Sequence, residues 1–392
     1  MTPRVEAFDR WIRDTLVALN TELEERYYAS ETPGDISGIG DDLKQQLVDQ
    51  GREHIAGLLR EGNTDEGFDA GYDLLGNVGL YMASCRRHDI TEPSRESKSP
   101  LVEASALAMQ LGASLGVVPR FASAHLELHN LAVDGTYKSF TRLQDEFLFL
   151  NHNTLAALSY IQASEALLKI LPLGVSHPIT ANLLRGATSA LRDVIKSNQK
   201  LFERLDVNRF FYCVRPYYKP HRVGLREYRG ANAGDFAGIN VIDLLLGLCR
   251  ADDPVYSQLL VDKFLYMPPD EQLILRDCMR RESLMDGFLE SLQSHADANW
   301  FQENAALFLE TCEAHGETAR QHHEQLVQKF IETPADRAGV SEQEDLTASG
   351  PPLPVLLKSL RKLADMRCAV DRDDIPSRFN DIQRLRAALG RQ

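Results

Sequence analysis

The first residues suited to chemistry are a histidine pair in the segment ETARQHHEQLVQKFIE. Apolar residues recur around His323 at helical spacing, so it lies on the apolar face of a helix, while His322 points about a quarter turn away. Neutral imidazole is a good iron ligand, which makes His323 a candidate metal ligand. Spacing alone still favours a core histidine satisfied by hydrogen bonding.

A second histidine, His152, lies in the helical segment DEFLFLNHNTLAALSYIQASEAL. Leu148, Leu155 and Ser159 share its face of the helix. An imidazole placed there can act as an acid, a base or a hydrogen-bond partner for a substrate. The alternative, which spacing alone favours, is a buried structural histidine.

Arg215 ends an apolar run and precedes a proline in NRFFYCVRPYYKPHRVG. Its guanidinium can hold a substrate carboxylate through two parallel hydrogen bonds, or it can pair with a carboxylate of the protein. From the pattern alone the ion pair within the protein is favoured. The neighbouring Arg222, Arg226 and Arg229 are typical of a solvated loop.

The segment REYRGANAGDFAGINVIDLLLGL combines glycines with an apolar helix. Gly230, Gly234 and Gly238 do not have the spacing of a dinucleotide-binding loop, and they predict either a closely packed loop or a plain surface loop. Asp243 falls inside the apolar helix, so its carboxylate needs a partner, for which an arginine is suited.

A further pair, His125 and His129, has the i, i+4 spacing of a metal chelate in AHLELHN. A protein metal site needs more ligands than this pair supplies, and no third ligand lies nearby in the sequence. We therefore do not expect a metal there.

Helical periodicity dominates the elements that must position these residues. No alternating strand pattern exceeds ~5 residues, so the fold class is all-α. The irregular stretch 217–240 separates helices, 92–100 is a polar break, and an interruption is expected near Gly316. Helices are predicted over 5–28, 43–59, 67–85, 101–115, 121–131, 145–171, 178–205, 241–249, 270–292, 300–333 and 353–366.

Composition narrows the class of partner. The chain has 392 residues, with 43 basic against 57 acidic side chains and a net charge of -14. Such a surface repels phosphates and anionic lipids, so nucleic acid and membrane are not expected partners. No apolar run approaches the ~20 residues of a membrane span. The six cysteines are scattered, which is typical of reduced thiols and predicts a cytoplasmic protein.

Taken as a set, these segments resemble the heme-dependent tryptophan/indoleamine dioxygenase superfamily. RQHHEQLVQKFIETPA is similar to the proximal-histidine helix, with His323 at the ligand position followed by matching Val327, Lys329 and Ile331. By this resemblance His323 binds the iron of heme b.

The segment NRFFYCVRPYY resembles the superfamily's substrate pocket, where an arginine holds the substrate carboxylate and a phenylalanine pair packs on the substrate. Phe210, Phe211 and Arg215 match those positions. AGDFAGINVIDLLLG resembles the loop and helix that follow, which assigns Gly238 and Asp243 to the cofactor side.

Other matches are looser. DEFLFLNHNT resembles the distal-histidine segment of tryptophan dioxygenases after a one-residue shift, so His152 and Asn153 compete for that position. DLTASGPP is only an approximate counterpart of the pocket-closing loop, which gives Thr347, Ser349 and Gly350 as substrate-binding candidates.

RPYYKPHRVG is most similar to the branch that contains monodechloroaminopyrrolnitrin synthase, and the resemblance covers roughly residues 70–366. It implies an N-terminal helical region, 1–66, and a helical heme-binding oxygenase domain, 67–392. Residues 1–66 have no evident counterpart in the superfamily.

The activity implied is a heme-dependent oxidoreductase of secondary metabolism that uses dioxygen or peroxide on tryptophan or a related aromatic amino acid. The reaction is either indole-ring dioxygenation or the oxidative rearrangement of the pyrrolnitrin-type branch. A helical binding or scaffold protein that has lost heme is the alternative. The resemblance leaves a homodimer open.

Overall fold

The structure, a computed structural model, describes residues 2–61, 67–232, 234–339 and 352–390. Over these ranges the chain is helical apart from loops and one short antiparallel hairpin, so the predicted all-α class is confirmed. The hairpin pairs β1 (His221–Val223) with β2 (Arg226–Tyr228), and His221 lies opposite Tyr228. Among the described residues, no helix combines the length and apolar character needed to cross a membrane.

The helices are α1 (Pro3–Trp11), α2 (Val17–Tyr28), α3 (Asp41–Glu61), α4 (Phe68–Arg87), α5 (Val102–Leu115), α6 (Gln144–Leu173), α7 (Thr180–Arg204), α8 (Val207–Arg209), α9 (Ala237–Leu246), α10 (Pro254–Phe264), α11 (Pro269–Cys278), α12 (Leu284–His295), α13 (Asn299–Gln321), α14 (Thr333–Ala338), α15 (Leu353–Arg367) and α16 (Phe379–Ala388). The chain is π-helical at Ile12–Leu16, Phe210–Val214 and His322–Glu332. Most predicted helices are therefore present with shifted ends, whereas α10, α16 and the short helices α8 and α14 were not predicted.

One predicted helix, 121–131, is wrong. That stretch contains only the short 3₁₀ turn Ser123–His125. The His125 ring accepts a hydrogen bond from the Ala122 N–H at 2.9 Å, and the Asn130 amide donates to the Leu126 carbonyl at 3.1 Å. Such local side-chain bonds compete with the hydrogen bonds of a helix.

Two other helix predictions need correction. The predicted helix 270–292 is broken between α11 and α12, because Ser283 and Asp286 cap each other and start a new helix. The predicted interruption near Gly316 is absent, since α13 runs through that residue. The helix becomes irregular only at His322, where α-helical bonding gives way to a π-helical stretch.

The described chain divides into two compact units. The first comprises Met1–Asn151, Arg204–Asp235 and Lys329–Leu356, and the second comprises His152–Glu203, Phe236–Gln328 and Leu357–Gln392. The boundary predicted at residue 66 falls at 62–66, outside the described residues, and stays a prediction.

In the first unit, α4 is the central helix and packs against α3 and α5. Its residues are almost all buried from Tyr72 to Arg87. In the second unit, α9 packs on α11, and the tilted rings of Phe288 on α12 and Phe308 on α13 lie 4.8 Å apart. The interior of each unit thus supports one of the two groups of candidate residues described below.

Candidate functional site

The predicted substrate segment lies in the first unit. Phe210–Val214 forms a single π-helical turn in which the Arg215 N–H donates to the Phe210 carbonyl. Phe210, Phe211 and Arg215 are all buried. The Arg215 guanidinium carbon lies 4.7 Å from the centre of the Phe211 ring, within the range of a cation–π contact. The structure therefore brings this arginine and its phenylalanines together.

Burial lowers the pKa of Arg215 to about 10. The guanidinium nevertheless remains charged at neutral pH. Because a buried cation is stabilised by an anion, a carboxylate is the ligand group that this position favours.

Aromatic rings surround the same segment. The Phe210 ring lies 5.0 Å from Phe149 and meets Phe330 edge-on at 6.0 Å. Phe149 in turn contacts Tyr218 at 5.6 Å. These contacts make an apolar, aromatic environment in which a flat ring packs well.

The second unit holds Asp243, which is fully buried, in a polar network. Its Oδ1 accepts from His315 Nε2 at 2.7 Å and from Arg367 Nε at 2.8 Å. Its Oδ2 accepts from Arg367 Nη2 at 2.6 Å and from the Tyr256 hydroxyl at 2.7 Å. The expectation that Asp243 pairs with an arginine is confirmed. Burial alone would raise the pKa of Asp243, but Arg367 and His315 hold it well below its ordinary value.

His323 lies in the π-helical stretch that follows α13. It is half-buried, whereas His322 is exposed, and Val327 and Phe330 further along the stretch are buried. Nδ1 of His323 is buried, and within the described ranges its ring makes no hydrogen bond. The histidine that bonds Asp243 is His315 on α13, and His323 does not take part in that network.

His152 is buried on α6, and its Nδ1 forms a hydrogen bond with the Ser197 hydroxyl of α7 at 3.1 Å. The competing Asn153 is half-buried, and its Nδ2 is a buried donor that has no acceptor among the described residues. The ring of His152 is thus hydrogen-bonded to the adjacent helix, whereas the side-chain amide of Asn153 has no such bond.

Gly238 lies in the first turn of α9. A Cβ there would approach the Phe236 ring to 2.7 Å and the Tyr160 backbone to 3.4 Å. Glycine thus permits close packing of α9 on α6, and the cofactor role of Gly238 stays a prediction. Thr347, Ser349 and Gly350 lie outside the described residues.

Sequence reasoning missed three members of the Asp243 network: His315, Arg367 and Tyr256. A signal existed for one of them, because His315 precedes Ala319 by four residues on the helical face that predicted His323. Arg367 and Tyr256 come from other helices, and helical periodicity carries no information about contacts between helices.

His125 is structural. Its ring stacks on Tyr72 at 3.8 Å and bonds the Tyr72 carbonyl through Nε2 at 3.0 Å. Nowhere in the described ranges do three or more His, Cys, Asp or Glu residues gather as a metal site would require.

An all-α fold with a buried arginine beside a phenylalanine pair, and with a half-buried histidine on a separate helix, is compatible with the class of helical oxygenases. Residues 2–389 match the family described as Monodechloroaminopyrrolnitrin synthase PrnB, and the chain belongs to that family. It is therefore an enzyme of the oxygenase type. The match begins at residue 2, so the N-terminal residues, for which no counterpart was expected, belong to the family as well.

Family membership implies a heme-dependent oxygenase in the biosynthesis of a tryptophan-derived secondary metabolite. The surroundings of His323 show whether this histidine could hold the heme iron. A histidine that holds heme iron must offer one ring nitrogen that the protein does not use. The His323 ring is partly accessible and makes no hydrogen bond within the described residues, so it meets this requirement.

Proposed function

We propose that this chain is a heme-dependent oxygenase that binds tryptophan or a related aromatic amino acid and catalyses the oxidative rearrangement for which its family is named. The observation that carries the proposal is the buried Arg215 guanidinium lying 4.7 Å from the Phe211 ring centre. A fixed cation beside aromatic rings suits a ligand that has both a carboxylate and a flat apolar ring.

Arg215 would hold the substrate carboxylate with two charge-assisted hydrogen bonds. Phe210 and Phe211 would pack on the substrate ring and exclude water from it. A substrate held at both ends has few orientations left, and restricting orientation is a large part of what an enzyme contributes to a reaction between two molecules.

His323 would hold the heme iron through one ring nitrogen, and Gly238 and Asp243 would lie on the cofactor side. When bound, heme supplies the activation of dioxygen or peroxide that side chains cannot carry out. The Asp243 carboxylate supports this assignment, because each of its oxygens accepts two hydrogen bonds and so holds the helices that carry its partners in place.

His152 would hold or move a proton at the ring nitrogen of the substrate. Its bond to Ser197 fixes the orientation of the imidazole, as general acid–base catalysis requires. The alternative reaction, cleavage of the indole ring, would use the same residues. Family membership favours rearrangement over cleavage.

The heme assignment is tested by absorption spectra of the purified, heme-supplemented protein and two variants. We expect a Soret band for the wild type and for His322→Ala, and loss or a marked shift of that band for His323→Ala. A spectrum retained in His323→Ala but lost in His322→Ala would overturn the choice of ligand. No Soret band in the wild type would favour a helical binding protein without heme.

The reaction outcome is tested by mass spectrometry of the products formed from L-tryptophan under isotopically labelled dioxygen. Rearrangement predicts a product without an N-formyl group and without two incorporated labelled oxygen atoms. An N-formyl product containing two labelled oxygen atoms would instead identify ring cleavage.

A further inference from the structure

The carbonyl of Tyr212 lies inside the π-helical turn that precedes Arg215. In an α-helix its hydrogen-bond donor would be the N–H of residue 216, but that residue is Pro216 and has none. The Arg87 Nη2 of α4 donates to this carbonyl at 3.0 Å. A side chain from another helix thus bonds the turn where proline removes a main-chain donor.

Arg87 is itself held by a buried carboxylate. Its Nε and Nη2 bond the two Glu24 oxygens of α2, both at 2.7 Å, and neither side chain is substantially exposed. Burial and then the nearby Glu24 carboxylate raise the pKa of Cys213 to about 12, which indicates that the Glu24–Arg87 pair lies against the same turn. The guanidinium therefore has a fixed position from which it bonds Tyr212.

Arg86, the neighbour of Arg87 at the end of α4, bonds the far side of the same segment. Its Nε donates to the Pro220 carbonyl at 3.2 Å, and its Nη1 lies 3.1 Å from the Glu92 carboxylate. Consecutive arginines thus bond main-chain carbonyls on both sides of Arg215, three residues before it and five residues after it.

We infer that Arg86 and Arg87 are positioning residues that fix the segment from Tyr212 to Pro220 and thereby aim the Arg215 guanidinium at its ligand carboxylate. This inference rests on the proposed function, because it takes Arg215 as the group that binds the carboxylate. Neither Arg86 nor Arg87 touches the substrate in this scheme.

The test measures binding of L-tryptophan and of tryptamine, which lacks the carboxylate, to the heme-loaded protein by calorimetry. Arg87→Lys keeps a positive charge opposite Glu24 but loses the planar guanidinium that donates to Glu24 and to the Tyr212 carbonyl at the same time. We expect Arg87→Lys to raise the Kd of tryptophan roughly tenfold and that of tryptamine by less than about twofold.

Arg13 provides a matched control in the same unit. It is also buried, and it bonds a carboxylate, Asp9, and a main-chain carbonyl, that of Thr136, each at 2.7 Å. Arg13→Lys should lower the melting temperature about as much as Arg87→Lys without changing the ratio of the two dissociation constants. If it changes that ratio equally, or if Arg87→Lys weakens both ligands alike, the positioning role is refuted.

Two further variants complete the design. Glu24→Met combined with Arg87→Met removes the buried pair without leaving one charge unpaired, so the chain still folds and the Tyr212 carbonyl loses its arginine. This double variant should also weaken the binding of tryptophan more than that of tryptamine, and an unchanged ratio of the two dissociation constants would contradict the inference.

Arg215→Gln separates the positioning role from the proposed function. If Arg215→Gln leaves the ratio of the two dissociation constants unchanged, the proposed function itself fails. If Arg215→Gln changes the ratio but the Arg87 variants do not, only the positioning role is rejected.

Discussion

The Asp243 carboxylate and the Arg367 guanidinium form a two-pronged ion pair in the interior of the second unit. Nε of Arg367 lies 2.8 Å from Oδ1, and Nη2 lies 2.6 Å from Oδ2. The pair joins α9 to the end of α15, two helices far apart in the sequence. His315 and Tyr256 bond the same carboxylate, so every strong acceptor position of Asp243 is occupied.

Arg367→Met should destabilise the protein strongly, because it leaves the buried Asp243 charge without its cation. Loss of one partner from a buried pair typically costs about 3–5 kcal/mol of unfolding free energy. Urea unfolding followed by circular dichroism measures this. The control is Arg250→Ala, which breaks an exposed ion pair with Asp252 and should not measurably change stability. Equal effects of the two variants would contradict the role given to burial.

Gly316→Ala should also destabilise the protein, because α13 and α15 meet closely at this glycine. An added Cβ would lie 3.1 Å from the Arg367 carbonyl and 3.2 Å from the Cys368 Cα, both main-chain atoms. We expect a loss of about 1–3 kcal/mol, typical of overpacking. Gly186→Ala in α7 is the control, because nothing lies within 4 Å of its Cβ. It should stabilise α7 by about 0.5–1 kcal/mol.

The contrast between His323 and Arg367 explains how much the sequence could predict. His323 could be placed on an apolar helical face from spacing, and the structure agrees, with His323 half-buried and His322 exposed. Asp243 could be predicted to need a cation because a charge inside an apolar helix is costly. Which arginine supplies it depends on how α15 packs, and single-sequence periodicity does not encode packing between distant helices.

Local chemistry also limited the helix predictions. The apolar spacing of 121–131 suits a helix, but the Asn130 side-chain amide donates to the Leu126 carbonyl, which in a helix would accept from the main-chain N–H of residue 130. The π-helical turn at Phe210–Val214 has no signature in apolar spacing. The candidate substrate residues could therefore be named from the sequence, whereas the Arg86 and Arg87 contacts that hold them could not.

Stability should fall as the pH drops below the ordinary histidine pKa of 6.5. Burial lowers the pKa of His88, His125, His221 and His315, that of His125 to about 3. These imidazoles stay neutral in the folded state while the unfolded chain takes up protons. Each such group contributes about 1 kcal/mol per pH unit below 6.5.

Buried glutamates act in the opposite direction. Burial raises the pKa of Glu146 to about 7, so its contribution to stability is greatest at low pH and is lost as the pH rises from 4.5 to 7.

His221→Leu isolates one histidine, since both nitrogens of its buried ring have no hydrogen-bond partner among the described residues. Between pH 5 and pH 6.5 the free energy of unfolding of this variant should depend less on pH, because unfolding takes up about one proton fewer. Denaturant unfolding at several pH values measures this slope. An unchanged slope would show that His221 does not remain neutral on folding.

His152→Ala should lower the turnover number of the heme-loaded enzyme by about 10²–10⁴, the usual contribution of a positioned acid or base. The Soret band and melting temperature should change little, because Ser197 can still donate to the carbonyl of residue 152, which it approaches at 3.3 Å. Imidazole added to the buffer should restore part of the lost rate. Asn153→Ala is the comparison, since the two residues are neighbours on α6 and only His152 bonds α7 through its side chain. A large loss in Asn153→Ala, together with a normal rate in His152→Ala, would transfer the proton-handling role to Asn153.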